Sequence, residues 1–371
     1  EAPKPGERFE LFDTVNTNVL MHGGRMLALV EAGARPVELD WNLDTVRHSA
    51  LEGISQAFSA HPHQHPQTGN LHAICYNALD LEQVFHVQLG TDGRVAKTEA
   101  IAVQDGPSIH DCTVSENYVV VLDMPVTFNS PMALQGSAFP YRWNPEHPPR
   151  VGLLPLDSGA DGVLWFDAPS CYIFHTANAY EAQDPVTGNP LVIMDAAVHD
   201  GMFQETLTGP EATVTSLQRW TFDLTRLRLS TQVISERYQE FPRINESLTG
   251  QQHRYIYSLS QQGRGTEDIL SMANAYYKTD TRTGEQQVFD FGPNAVAGEF
   301  VFVPSAGRGD RTDSAEEDAG YLMGYVIDAA NHHTELVILD ARNFNQKQAE
   351  LARVRVPHVI PPGFHGNWME R

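Results

Sequence analysis

Short apolar runs separated by polar, glycine-containing clusters set the rhythm of the chain. Met26-Leu27-Ala28-Leu29-Val30, Tyr118-Val119-Val120-Val121-Leu122, Val233-Ile234, Glu299-Phe300-Val301-Phe302-Val303 and Leu336-Val337-Ile338-Leu339 are short and rich in β-branched or aromatic side chains. Such residues suit a pleated, half-buried surface. Apolar positions at helical spacing are rare. The separators carry turn chemistry: Pro66-Gln67-Thr68-Gly69, Gly90-Thr91-Asp92-Gly93 and Asp280-Thr281-Arg282-Thr283-Gly284. Hairpins at this density predict an all-β sandwich, barrel or propeller. The recurrence of D-x-x-T-G pieces favours repeated blades, although no strict repeat consensus emerges.

Two stretches break the rhythm. Residues 125–150 are rich in proline and aromatic residues, too apolar for a solvated loop, and are expected to pack over something on the ligand side of the molecule. Residues 305–319 are polar and acidic and read as a surface loop. No linker divides the chain, so residues 1–371 are read as one domain.

Composition narrows the partners. With 371 residues, 41% of them hydrophobic, the chain can bury a large core. Its formal net charge of -22 repels nucleic acid phosphates and opposes electrostatic docking on anionic membranes. Cys75, Cys112 and Cys171 are too scattered for a disulfide framework or a thiolate zinc site. No apolar run is long enough for a transmembrane helix, and Glu1-Ala2-Pro3-Lys4 opens no signal-peptide pattern. A cytoplasmic location is expected, with peripheral membrane contact as the one membrane role.

There are 16 histidines but no H-E-x-x-H and no paired C-x-x-C. In His61-Pro62-His63-Gln64-His65 the prolines make three-way chelation awkward. His63 and His65 are as well read as a solvated loop, with at most one of the three a ligand. Periodicity and composition carry the reading no further than an acidic, β-rich protein with many histidines.

Four segments resemble, in order, the ligand segments of the carotenoid cleavage oxygenase family: Ala60-His61-Pro62; Ile109-His110-Asp111-Cys112-Thr113-Val114; Phe174-His175-Thr176-Ala177-Asn178; and Gly363-Phe364-His365-Gly366-Asn367-Trp368. The family includes carotenoid, apocarotenoid and lignostilbene dioxygenases and the retinal pigment epithelium isomerohydrolase. The resemblance implies a seven-bladed β-propeller capped by loops, with Fe(II) on its axis held by His61, His110, His175 and His365. Neutral imidazoles suit ferrous iron, and four of them leave positions open for dioxygen. By the same resemblance Glu31 orients His110, Glu240 orients His175 and Glu299 orients His365, since a metal-bound histidine donates its second ring N–H to a carboxylate. Asn16-Thr17-Asn18 resembles a segment that places Thr17 close to the iron. Val30, Phe174 and Phe364 are expected to line the substrate. The remaining histidines, His199 and His253 among them, read as structural.

The implied function is cleavage of a C=C double bond in a carotenoid or apocarotenoid, with O2 as co-substrate and two carbonyl products. The alternatives are a stilbene-cleaving dioxygenase, an isomerohydrolase on the same scaffold, and a non-catalytic binding propeller. Stilbene-cleaving relatives carry a lysine before the first carboxylate, where this chain has Val30. The resemblance covers the family's last three quarters; a segment of the F-D-G-D-G-M type has no counterpart among these residues.

Overall fold

The computed structural model describes residues 15–32, 35–48, 50–54, 57–78, 80–137, 139–205, 214–260, 273–305, 317–345 and 348–369. Their strands form six four-stranded antiparallel sheets. The first blade holds Asn18–His22, Arg25–Leu29, Val37–Leu39 and Thr45–Arg47; the second His63–Gln64, Leu71–Asn77, Asp80–Leu89 and Val95–Ala102. The third holds Thr113–Val114, Tyr118–Asp123, Arg150–Pro155 and Leu164–Asp167; the fourth Thr176–Gln183, Pro190–His199, Thr215–Asp223 and Arg228–Ser235. The fifth holds Gln239–Arg243, Tyr255–Ser260, Ala275–Asp280 and Gln286–Asp290; the sixth Ala295–Pro304, Gly320–Asp328, His333–Asp340 and Glu350–Val356. From the second blade onward the first strand of each blade touches the first strand of the next, so first strands line the axis.

The structure corrects the expectation of seven blades: six four-stranded blades are present among the described residues. After the sixth, residues 357–369 form no strand. This tail instead returns to the axis and hydrogen-bonds the first blade, His365 N donating to Thr17 O at 3.2 Å. Asn367 Nδ2 donates to Asn18 Oδ1 at 2.8 Å and to Val19 O at 2.9 Å.

The recurrent D-x-x-T-G pieces are hairpin turns. Asp184 Oδ1 accepts from the Val186 and Thr187 amides, and Gly188, at φ 72°, closes the turn by donating to Asp184 O. Left-handed φ favours glycine there. Asp280–Gly284 repeats the arrangement. In His65-Pro66-Gln67-Thr68-Gly69 a histidine takes the aspartate's part, its Nδ1 accepting from the Gln67 and Thr68 amides. His65 is therefore a buried turn residue, not part of a solvated loop.

Core packing lies mainly between blades. Trp220 and Phe222 are fully buried, and Phe222 meets Phe166 of the third blade at 5.1 Å between ring centroids. Residues 125–150 form their own small sheet, Val126–Phe128 with Tyr141–Trp143, around a short helix, Ser130–Leu134. Strand Tyr118–Asp123 runs antiparallel to Thr113–Val114 and continues past it toward His110, so this insertion emerges on the face where the first strands begin. Of the segment 305–319, residues 306–316 lie outside the described residues. Glu317 and Asp318 are buried rather than solvated, bonded to the Arg254 and Tyr255 amides and to Lys278 Nζ respectively.

Candidate metal centre

The starts of the first strands converge on the axis. His61 precedes the second blade, His110 the third and His175 the fourth, while His365 comes from the tail. One ring nitrogen from each lies within 4.8 Å of the others. His110 and His175 face each other through Nε2 at 3.3 Å, and His175 and His365 at 3.2 Å. The remaining ring nitrogen of three of them meets a carboxylate: His110 Nδ1 to Glu31 at 2.7 Å, His175 Nδ1 to Glu240 at 2.6 Å and His365 Nδ1 to Glu299 at 3.2 Å.

These residues fit a metal ion. His61 Nε2 is buried and has no hydrogen-bond partner, which is costly unless a ligand takes the lone pair. Burial, and then the neighbouring His110, His365 and His175, push His61 well below its ordinary pKa. It therefore stays neutral, as a ligand must. Nitrogen-only donors favour a transition metal over calcium or magnesium.

Local chain irregularities aim the carboxylates. Glu240 sits at a register shift between Glu240 and Arg243, and Pro242, which has no N–H to give a ladder, falls inside it. Phe241 is held at φ 50°, a strained conformation for a bulky residue. There its amide donates to Glu240 Oε2 and its ring stacks on His175 at 4.9 Å. Glu299 lies within a second shift, between Ala297 and Phe300. Burial opposes ionisation of both carboxylates, yet Glu240 is held below its ordinary range, first by His175, and Glu299 is held at about 2, first by Arg243 and then His365.

Several supporting groups had been given no role at the centre by the sequence. His199 donates from Nε2 to the other oxygen of Glu240 at 2.7 Å. Asp111 accepts from Thr176 N and Oγ1 and from the His63 ring, each at 2.8 Å, tying the second, third and fourth blades together beside the cluster. Its position next to His110 was the available signal. His63 thus has a partner and is only partly exposed.

The other expected positions divide. Phe174 is half-buried, its ring 5.1 Å from His110 and 4.8 Å from Tyr172. Aromatic contacts continue through Phe203 and Phe139 to Tyr141 of the insertion. Val30 is half-buried beside Glu31. Thr17 meets the tail through its backbone oxygen. Phe364 is 47% exposed and lines nothing described. An axial cavity of about 430 Å³ opens onto the cluster, lined by His61, His175 and His365 together with Asp111, Arg243 and Glu299. Among the described residues no helix is long and apolar enough to cross a membrane.

Known proteins resemble this chain in sequence and in fold. A "Carotenoid cleavage oxygenase" of Mycobacterium tuberculosis is 34% identical over 394 aligned positions, covering 95% of this chain and 76% of its own. The cobalt-substituted Synechocystis enzyme ACO superposes with a TM-score of 0.82 at 26% identity, covering 97% of this chain and 75% of that one. The lignostilbene dioxygenase of Pseudomonas brassicacearum gives 0.81 at 27%, covering 95% and 74%. Solved variants of the Synechocystis protein replace a threonine, a tryptophan and a glutamate at the spacing of Thr17, Val30 and Glu31. The family model described as "Retinal pigment epithelial membrane protein" matches residues 3–370, and the chain belongs to this family as an enzyme of the carotenoid cleavage dioxygenase type.

Proposed function

We propose that this protein is an Fe(II)-dependent dioxygenase that cleaves a C=C double bond of a carotenoid or apocarotenoid, giving two carbonyl products. The observation that carries the reading is the cluster of four inward-facing imidazoles, three backed by carboxylates, with His61 Nε2 otherwise orphaned. Iron(II) on four neutral nitrogens supplies open coordination positions for dioxygen. His61, His110, His175 and His365 are the ligands. Glu31, Glu240 and Glu299 fix the ring tautomers.

The rest of the chain holds the substrate. The aromatic contacts running from Phe174 through Phe203 and Phe139 to Tyr141 offer an apolar wall beside His110 on the loop face. A polyene buried there gains about 0.8 kcal/mol per methylene-sized group. Val30 stands at the spacing of the Synechocystis tryptophan, which leaves more room and no polar partner. A phenol left unpaired there costs about 1–3 kcal/mol. Thr17 borders the site through its tie to the His365 segment.

The similarity to the lignostilbene dioxygenase, nearly as extensive as that with ACO, favours one second reading: cleavage of a stilbene by the same centre. The test is to load the protein with Fe(II) and supply an apocarotenal and a hydroxystilbene in competition under isotope-labelled dioxygen. Label in both halves of the cleaved apocarotenal, with the higher kcat/KM, is the expected result. Faster stilbene turnover selects the second reading, and an isomerised or hydrolysed product without label would reject dioxygenase chemistry.

A further inference from the structure

His365 differs from the other three histidines of the cluster. His61, His110 and His175 each stand at the start of a sheet strand, whereas His365 lies in the strandless tail 357–369. Its carboxylate bond is also the longest of the three, 3.2 Å against 2.7 and 2.6 Å. Apolar packing does not anchor this tail. Phe364 and Trp368, its two aromatic side chains, are 47% and 50% exposed.

Polar contacts hold it instead: His365 N donates to Thr17 O, Ile360 N donates to Thr334 Oγ1, and a further group of contacts meets at one side chain. Arg243, at the end of the bulged strand that carries Glu240, is largely buried. Its Nη1 donates to Glu299 Oε1 at 3.4 Å, the oxygen that also meets His365 Nδ1. Its Nη2 donates to Asn367 Oδ1 at 3.1 Å and to Glu246. Asn367 in turn spends both amide protons on the first blade, on Asn18 Oδ1 and Val19 O. The other Glu299 oxygen accepts from Gly366 N at 3.0 Å. One guanidinium thus fixes the carboxylate behind His365 and the residue two positions after it. A planar fork with donors in fixed directions can do both at once, and an ammonium cannot.

We infer that Arg243 is a positioning residue: it docks the tail between the fifth, sixth and first blades and thereby holds His365 in the metal cluster. The inference rests on reading that cluster as a metal site. Loss of Arg243 leaves a centre of three histidines placed just before sheet strands and a loose fourth.

The test uses Arg243→Met, Arg243→Lys and Asn367→Ala in the full chain, with cobalt(II) as the metal probe. Backbone hydrogen exchange of residues 363–369 is followed in chelator-treated protein, and cobalt affinity is followed by absorbance. Arg243→Met is expected to speed exchange in the tail and to weaken cobalt binding by roughly 10-fold or more, the scale of outer contacts to a metal. Arg243→Lys should recover part of both. Asn367→Ala should speed tail exchange with a smaller loss of affinity. Unchanged tail exchange in folded Arg243→Met overturns the inference, as does weakened cobalt binding with the tail still protected. Should Arg243→Met fail to fold, Asn367→Ala decides on the same tail readout. A wild-type protein that binds no cobalt would reject the metal reading alone, since the metal-free exchange arm still judges the role of Arg243 in docking.

Discussion

At the scale of single residues, the carboxylates behind the histidines are not equivalent. Glu31 meets one ring, and its second oxygen is buried with no partner. Glu240 meets His175 and His199 and accepts the Phe241 amide. Glu240→Gln is therefore expected to lower metal affinity near the upper end of the roughly 10–100-fold range for such partners, and Glu31→Gln near the lower end. Chelator competition measures both, and the reverse order would refute the argument. Val30→Lys supplies a hydroxyl partner beside Glu31 and should shift kcat/KM toward hydroxystilbenes by roughly 10-fold, the equivalent of one recovered hydrogen bond. A panel with unchanged ratios would remove Val30 from the pocket. Sequence brought out His61, His110, His175, His365 and the three glutamates because each lies in a segment resembling the family. His199 was read only as structural, and Asp111 and Arg243 were missed: their partners are 41, 65 and 56 residues away, and only Asp111, beside His110, had a local signal.

At the scale of elements, alternation and turn chemistry made the strands legible, while the number of blades was not. A blade is a repeat of strands with no count written into any one of them, and the seven expected came from resemblance. The proline- and aromatic-rich insertion could be read as a cover but not as its own two-stranded sheet, since three-residue strands carry too little pattern. Joints between blades were invisible as well. The fourth and fifth blades are joined through Asp195, which accepts from Arg219 Nε and Nη2 and lies 3.0 Å from His253 Nε2. Burial alone would raise the Asp195 pKa, but the adjacent His253 ring and the bonds from Arg219 carry it below its usual 3.8. The unfolded chain then binds this proton more readily than the folded one. The contribution is thus complete above about 3.8 and is lost as pH falls through the lower folded value. Asp195→Asn is expected to cost about 3 kcal/mol at neutral pH, because it strands a buried partner. Urea unfolding should show that deficit shrinking at pH 3, and a deficit constant with pH would refute the charge argument.

At the scale of the whole molecule, the blades are tied together at the centre of the axis as well as through their packed faces. Three of the clustered histidines belong to the second, third and fourth blades, and the fourth rides on a tail bonded to the first, fifth and sixth. A metal ion held there would connect every blade. Ions that bind only the folded state stabilise it by mass action, about 4.1 kcal/mol when free metal is a thousandfold above its dissociation constant. For a chain of this size each kcal/mol moves the midpoint by about 2 °C, so chelation should lower Tm by roughly 8 °C. His61 is the informative control. Its Nε2 has no protein partner to lose, so His61→Ala should abolish most of the metal-dependent increment while changing the chelated protein far less. Calorimetry with cobalt(II), with chelator, and on His61→Ala under both conditions separates the terms. An equal metal-dependent rise in wild type and His61→Ala would place the bound ion elsewhere and remove the axis as the joint between blades. The rise should also fade in acid, because protons compete with the metal for the ring nitrogens.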